Sequence, residues 1–156
     1  MQTQVKAPEL KPFATLKVEI APAQEIGATQ FGQRRVIPIT GGTVTGDGWS
    51  GKVLPGGADF QLILSPRLFE LDARYVIETD EGETIFIQNR AVRAASEEAT
   101  AKIINGQPVD PSEVYFRCTP ILETSSERFS WVTERLFIGT GIRRPNCVEL
   151  QFFEVC

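Results

Sequence analysis

The chain has 156 residues and a mass of 17.3 kDa, which suits one domain, and its 42% hydrophobic and 23% charged residues suit a folded core. Its 20 acidic and 16 basic residues give a net charge of -4, which argues against a large basic surface for nucleic acid. Because the sequence contains no histidine, it excludes histidine zinc sites, Ser-His-Asp and Cys-His nucleophiles, and imidazole bases.

Residues 1–12 are predicted to form an N-terminal extension, and residues 13–156 a single β-barrel domain. The extension has no apolar run of roughly 7–15 residues typical of a signal peptide, and no later run approaches the ~18 apolar residues of a membrane span. The cysteines Cys118, Cys147 and Cys156 lack C-x-x-C spacing, so neither a disulfide framework nor a thiolate metal site is expected. We therefore expect a cytoplasmic protein that needs no metal or other cofactor and binds neither membrane nor nucleic acid.

Short runs rich in Val, Ile, Phe and Thr, separated by Gly, Pro and Asp turns, predict about nine or ten β-strands. Gly46-Asp47-Gly48 is typical of a hairpin turn between two of them. This regular spacing is typical of a β-sandwich or a β-barrel. In chain order the runs are 13–21, 34–40, 43–45, 49–54, 58–65, 68–79, 84–94, 114–124, 130–139 and 147–155.

One helix is predicted, at 97–105, with Ser96 as its N-terminal cap and Asn105-Gly106 as its end. A single short helix cannot supply the repeated crossovers of a parallel sheet, so the sheet is expected to be antiparallel. Closure of so many strands into a barrel removes exposed sheet edges. The predicted fold is therefore an all-β, closed antiparallel β-barrel of about 8–10 strands with one short α-helix.

Polar residues recur at one parity of several predicted strands. If this parity faces the lumen, it gives apolar walls with a few polar groups, as in a ligand pocket; if it faces solvent, it is an ordinary half-exposed sheet. Large apolar residues at the opposite parity favour the lumen and would need a cover, which an outer layer, the helix or a partner subunit could supply. A partner subunit would make the protein a homo-oligomer, most simply a dimer, and this is the prediction. The polar residues are Asp59 and Gln61, Asn89 and Arg93, Tyr115 and Arg117, and Trp131 and Arg135.

A set of short segments in order between residues 13 and 155 resembles a bacterial and fungal family of uncharacterised proteins, known as a domain of unknown function. The resemblance implies a small antiparallel β-barrel with a central cavity and no established reaction. Ala91 departs from the pattern, because a glycine is expected before Val92-Arg93. The segments are Gly32-Gln-Arg34, Ile37-Pro-Ile39-Thr-Gly-Gly42, Gly51-Lys-Val-Leu-Pro-Gly-Gly-Ala-Asp59, Asp72-Ala-Arg-Tyr75, Asp80-Glu-Gly82, Tyr115-Phe-Arg117, Phe129-Ser-Trp131 and 148–155.

The predicted site lies in the barrel lumen, with Asp59 as its proton-transferring carboxylate, because a partly apolar lumen raises the pKa of an aspartate. Two glycines directly before Asp59 let the backbone pack closely there. Each assignment has a structural alternative: a carboxylate can pair with an arginine, and aromatic residues can simply pack in the core. The remaining candidates are Tyr75 as a second catalytic group, Arg34 and Arg117 as ligand-binding anion anchors, and Asn89 and Trp131 as ligand-orienting and wall residues.

Three classes of function remain open at this point. The first is a cofactor-independent lyase, isomerase or cyclase that acts on a small, partly apolar organic molecule. The second is a non-catalytic carrier or sequestering protein for a small carboxylated or aromatic ligand, and the third is a subunit whose apolar outer face serves assembly. Acid and base groups with opposite pKa shifts in the lumen would favour the enzyme, and an apolar lumen with one charged anchor would favour the carrier.

Overall fold

The computed structural model describes residues 3–156, most of which lie in ten β-strands. One α-helix, α1 (Glu97–Ile104), follows the seventh strand, and two short 3-10 helices cover Pro111–Glu113 and Ser130–Glu134. The strands are β1 (Leu10–Ile20), β2 (Gln24–Thr29), β3 (Gly32–Gly46), β4 (Trp49–Val53), β5 (Gly57–Ser65), β6 (Leu68–Thr79), β7 (Thr84–Ala95), β8 (Val114–Thr124), β9 (Leu136–Arg143) and β10 (Cys147–Val155).

The sheet closes on itself, because β1 pairs with β10 on one side and with β3 on the other. Around the ring, every paired neighbour is antiparallel, and β4 and β5 share one position between the long strands β3 and β6. The result is an eight-stranded closed barrel with two extra strands, which confirms the predicted fold. The pairing of β8 with β9 is the shortest around the ring, with only Arg117–Thr140 and Cys118–Gly139 in register.

The N-terminal boundary of the barrel lies three residues before the predicted one. β1 begins at Leu10, and Leu10, Lys11 and Pro12 pair with the end of β10, so these residues belong to the barrel wall rather than to an extension. β2 has no counterpart among the predicted strands, because its sequence QEIGAT lacks the alternation of a half-buried strand. It pairs only with β3 and lies at the edge of the sheet.

The glycine pair Gly41-Gly42 lies inside β3, so the predicted runs 34–40 and 43–45 form one strand and the glycines between them do not end it. Gly42 has a φ of +141°, and a Cβ there would lie 2.0 Å from the carbonyl oxygen of Lys17 on β1. The register between β1 and β3 shifts nearby, between Glu19 and Ile20. Gly42 therefore lets one long strand pack closely against its neighbour at the register shift instead of ending there.

An aromatic cluster fills one end of the barrel, and a 3-10 helix that contributes to it takes the place of the first half of a predicted strand. Residues 130–139 were predicted to be one strand, but Ser130–Glu134 form a 3-10 helix and β9 begins only at Leu136. In this helix, Trp131 packs against Phe13 with 5.5 Å between the ring centroids, and the ring centroids of Trp49 and Phe129 are 5.0 Å apart. The cluster consists of Phe13, Trp49, Phe129, Trp131 and Phe137.

The predicted helix is confirmed at Glu97–Ile104, with the predicted ends. The Ser96 side chain accepts a hydrogen bond of 3.1 Å from the backbone N–H of Ala99, and Gly106 follows the helix with a φ of 71°. Glu97 and Glu98 lie in the first turn and Lys102 in the last, as the helix dipole favours. Ile103 is buried, so the helix packs one side against the barrel.

Ser96→Ala is expected to lower the free energy of unfolding by about 1 kcal/mol, because it leaves an N-terminal amide of α1 without its acceptor. Urea denaturation followed by circular dichroism measures this change. Ser125→Ala, at an exposed position, is the matched control and should alter stability by less than about 0.5 kcal/mol. Equal losses in the two variants would contradict the capping role.

Three further observations bear on the predicted class of protein. Within residues 3–156, no helix is both long and apolar enough to cross a membrane, and no three His, Cys, Asp or Glu side chains group as metal ligands would. Cys118, Cys147 and Cys156 are free thiols. Burial raises the pKa of Cys118 to about 11, so this thiol stays protonated at neutral pH and behaves as a small core residue. The cytoplasmic location and the lack of a cofactor stay predictions.

Candidate functional site

A cavity occupies the half of the lumen away from the aromatic cluster, between the end of β1 and the start of β10. It contains about 510 Å³ of empty space when its open mouth is included. The volume that the centres of water molecules can occupy in it is about 40 Å³, which is room for two or three water molecules. The walls are mostly aliphatic, and the polar residues that line the cavity are Asp59, Gln61, Tyr75, Asn89, Arg93 and Arg143.

Strand register places two of the predicted site residues on one level of the barrel wall. Asp59 of β5 is opposite Ala73 of β6, and Ala73 is opposite Asn89 of β7. Because side chains opposite each other on adjacent strands point to the same face, all three point into the lumen. Because its side chain is small, Ala73 leaves space in the lumen between Asp59 and Asn89.

Asp59 is held by hydrogen bonds to both of its carboxylate oxygens. Oδ2 accepts from Gln61 Nε2 at 2.9 Å, and Oδ1 accepts from the backbone N–H of Asp72 at 3.2 Å. The β5–β6 pairing is interrupted between Asp59 and Leu62, so the side chain takes the place of a ladder partner for that amide. Burial nevertheless raises the pKa of Asp59, because the loss of hydration outweighs the hydrogen bonds and the nearby charge of Arg93. The carboxyl group is therefore suited to take up and release a proton.

Tyr75 reaches the lumen next to the glycines that precede Asp59. A Cβ on Gly57 would lie 2.4 Å from the carbonyl oxygen of Arg74 and 2.6 Å from Tyr75 Cβ, so the predicted close packing is confirmed at Gly57. The tyrosine is 2% exposed, and burial raises the pKa of its hydroxyl further above its ordinary value. At neutral pH the phenol is thus neutral and can donate a hydrogen bond.

Three buried polar atoms in the cavity have no hydrogen-bond partner among residues 3–156. They are the amide oxygens of Gln61 and Asn89 and the hydroxyl of Tyr75. A buried polar atom without a partner costs about 1–3 kcal/mol, so three around one cavity are an arrangement that a bound water or ligand would stabilise. Gln61 and Asn89 are only 2% and 4% exposed, which rules out bulk solvent as the partner.

Arg93 is a lumen residue that the sequence-based site omits. It is 3% exposed, and its guanidinium lies 4.5 Å from the centre of the Phe69 ring and 5.9 Å from that of Phe116. Register explains this packing, because Phe69, Arg93 and Phe116 are opposite one another on β6, β7 and β8. Burial lowers the pKa of Arg93 to about 10, so it remains charged at neutral pH. The signal in the sequence was its shared parity with Asn89.

The predicted placement of Arg34 and Arg117 in the lumen is wrong. Both line a broad groove on the outer face of the barrel, and Arg117 stacks on the ring of Tyr115 with 5.3 Å between guanidinium and ring centre. The reason is that Phe116 and Cys118 are the buried residues of β8, so its odd-numbered residues face outward. The ligand-binding role predicted for either arginine is not tested by this placement.

Trp131 does not line the cavity either. It belongs to the aromatic cluster at the other end of the barrel and is 38% exposed. The prediction assumed a strand at this position, and the 3-10 helix turns the indole onto Phe13 instead. Of the six predicted site residues, the structure therefore brings Asp59, Tyr75 and Asn89 together around the cavity and leaves Arg34, Arg117 and Trp131 outside it.

Large apolar residues lie exposed on the outer face around the groove. Phe60 is 39% exposed, Tyr115 55% and Ile138 38%, and all three border the groove. The polar side chains beside them carry both signs, with Arg90 and Glu70 among them. Such a surface is compatible with the predicted dimer, which stays a prediction.

Comparison with known proteins agrees with this architecture. The family described as "Protein of unknown function (DUF3237)" matches residues 8–155. The chain belongs to this family. An "UPF0311 protein" of Rhodopseudomonas palustris strain TIE-1 is 41% identical to this DUF3237 chain over 147 residues, 94% of this chain and 96% of the relative. An "UPF0311 protein" of Clostridium acetobutylicum is 39% identical over 124 residues, 80% of this chain and 78% of the relative.

Solved structures show the same barrel in relatives of this DUF3237 chain. A conserved protein of unknown function from Rhodopseudomonas palustris superposes with a TM-score of 0.92 at 38% identity, over 97% of this chain and 100% of that one. A beta-barrel like protein from Acinetobacter baumannii does so with 0.86 at 36% identity, over 99% and 100%. A protein of Penicillium herquei, described as an enzyme, has a TM-score of 0.72 over both whole chains but only 17% identity, which shows a shared fold alone.

Proposed function

We propose that this protein binds a small, partly apolar organic molecule in the lumen and moves a proton on it without a cofactor, as a lyase, isomerase or cyclase does. One observation carries the proposal: a buried carboxyl group with a raised pKa and three side chains with an unpartnered buried polar atom line one cavity with aliphatic walls. Binding sites combine apolar walls with a few polar groups in this way.

Each polar residue has a role that follows from its protonation state. Asp59 acts as the general base or acid, because burial raises its pKa above the usual range of an aspartate and so makes it a stronger proton acceptor when it is ionised. Tyr75 stays neutral and donates a hydrogen bond to an oxygen of the substrate on which negative charge develops. Asn89, opposite the same alanine as Asp59, orients the substrate through its unpartnered amide oxygen.

A carrier is the second candidate, and the buried arginine favours it. Arg93 places one fixed positive charge in a largely aliphatic lumen, which suffices to hold a small carboxylated or aromatic ligand without any reaction. The Penicillium herquei protein, described as an enzyme, supports the catalytic proposal only in that this fold accommodates an enzyme elsewhere.

Methyl NMR of labelled isoleucine tests the proposal directly. Ile37 and Ile39 line the cavity, whereas Ile26 and Ile121 are exposed on the outside and serve as internal controls. The probes are cyclic ketones, aromatic alcohols and small carboxylates added one at a time, and each solution is analysed afterwards for altered compounds. We expect binding to shift the two lumen methyl signals and leave the outer pair unchanged.

The Asp59→Asn variant separates the two candidates. Conversion of a lumen-bound compound that is lost in Asp59→Asn, with binding retained, supports the enzyme. Lumen binding with every compound recovered unaltered favours the carrier. Shifts confined to Ile26 and Ile121, or no shifts at all, would overturn the lumen as the binding site.

A further inference from the structure

We infer that the lumen takes an organic anion, a carboxylate with an apolar body, and that Arg93 binds the carboxylate group. This inference rests on the proposed lumen site and names its class of ligand. Three observations support it: the burial of Arg93 without a carboxylate in contact, the net positive charge of the cavity wall, and the space between Arg93 and Asp59.

Arg93 is a buried charge with no carboxylate in direct contact, although the charge of Asp59 acts on it from beyond ion-pair distance. Within residues 3–156, no carboxylate lies within 4.0 Å of its guanidinium, and its side chain makes no hydrogen bond. Its guanidinium lies over the rings of Phe69 and Phe116, and the residue lines the cavity. A buried, unpaired charge is costly unless a partner of opposite sign arrives. The planar guanidinium offers the paired donors that match a carboxylate.

The cavity wall is positive overall. Its charged side chains are Arg93, Arg143 and Asp59, so two positive groups stand against one carboxylate. Arg35, also buried, lies beside this group but is already paired with Glu25 at 2.8 Å. An anion is therefore attracted to the lumen, and a cation is repelled from it.

The space for the apolar body lies between Arg93 and Asp59. Asn89, Ala91 and Arg93 point inward from alternate positions of β7, so Arg93 is two levels nearer the mouth than the Asp59–Asn89 level. Ala73, on the Asp59–Asn89 level, and Ala91, between the two levels, are both small, and Leu71 of β6 is opposite Ala91. A ligand that spans the two levels places its carboxylate at Arg93 and its other end beside Asp59.

The experiment compares benzoate with benzamide, which has the same shape without the charge. Dissociation constants come from the Ile37 and Ile39 methyl shifts in the wild-type chain, in Arg93→Met and in Arg117→Met. We expect benzoate to bind the wild type at least tenfold tighter than benzamide. Arg93→Met removes this preference and keeps benzamide binding. Arg117 also stacks on an aromatic ring, but on the outer face of the barrel. We therefore expect Arg117→Met to keep the preference for benzoate.

A wild type that binds benzamide or cyclohexanone in the lumen as tightly as benzoate would overturn the anion inference and leave the proposed lumen site intact. Failure of all three compounds to shift the lumen methyl signals would overturn both. Loss of the benzoate preference in Arg117→Met, with the preference unchanged in Arg93→Met, would assign the anion to the outer groove and also overturn the inference.

Should Arg93→Met fail to fold, Arg93→Lys is expected to weaken benzoate binding, because it keeps the charge and loses the planar pair of donors.

Discussion

Asp59→Asn is expected to leave the melting temperature at neutral pH unchanged or slightly raised, while turnover of a lumen substrate falls by about 10²–10⁴-fold. Among residues 3–156 no arginine pairs with Asp59 within 4.0 Å. An asparagine can accept from the Asp72 amide through Oδ1 and donate from Nδ2 to the unpartnered Gln61 Oε1 once the Gln61 amide turns over. The substitution also removes a carboxylate that is costly to ionise in the lumen.

The pH dependence of stability tests the same substitution with its sign fixed. The pKa of Asp59 is higher in the folded protein than in the unfolded chain, so the folded state binds its proton more tightly. The resulting stabilisation is complete below the unfolded pKa and is lost as the pH rises through the folded pKa. Asp59→Asn should remove this decline.

Melting temperatures measured from acid to neutral pH give the comparison, and Asp47→Asn at an exposed turn position is the control. The control should follow the wild-type curve. A marked loss of stability in Asp59→Asn at neutral pH, of roughly 3–5 kcal/mol, would instead show that the carboxylate holds a buried arginine and is structural.

Gly42→Ala should cost the fold at least about 3 kcal/mol, whereas Gly41→Ala should change stability by less than about 1 kcal/mol. A Cβ at Gly42 would lie 2.0 Å from the Lys17 carbonyl oxygen, a backbone atom of β1 that cannot move alone, and its φ of +141° is unfavourable for alanine. At Gly41 the nearest atom would be 3.6 Å away, an ordinary contact.

Urea denaturation of the two variants side by side measures this difference, since they change neighbouring positions in one strand by the same methyl group. The contrast would show that the close packing of β3 against β1 depends on a single residue. Equal and small losses in both variants would show that β1 can shift to accommodate the new atom.

The fold was predictable because its signals are local. Alternating apolar and polar residues, turn glycines and the Ser96 cap are each visible in a short stretch of sequence. They predict the strands of the barrel and α1. The glycine pair in β3 was misleading, because glycine marks both a turn and a close approach of strands. Only the position of β1 distinguishes the two.

The site was less predictable because alternation defines two faces of a strand without saying which one is inside. On β7, Ile85 and Ile87 share the parity of Asn89, so the inward face is clear. On β8, aromatic residues occupy both parities, Tyr115 outside and Phe116 inside, and the choice depends on closure of the ring. This ambiguity placed Arg117 in the lumen, whereas Arg93 was left out of the site although its parity with Asn89 already placed it inside.

The short pairing between β8 and β9 makes the barrel wall unequal in strength. β9 is in register with β10 at eight positions but with β8 at only two, so separating β8 from β9 breaks fewer paired positions than separating β9 from β10. Local opening begins where the fewest contacts are lost, and amides along this boundary should exchange with deuterium before those shared by β6 and β7. Gly139 and Phe116 lie at this boundary and Phe116 lines the cavity, so the same fluctuation would expose the lumen from the side as well as through its mouth.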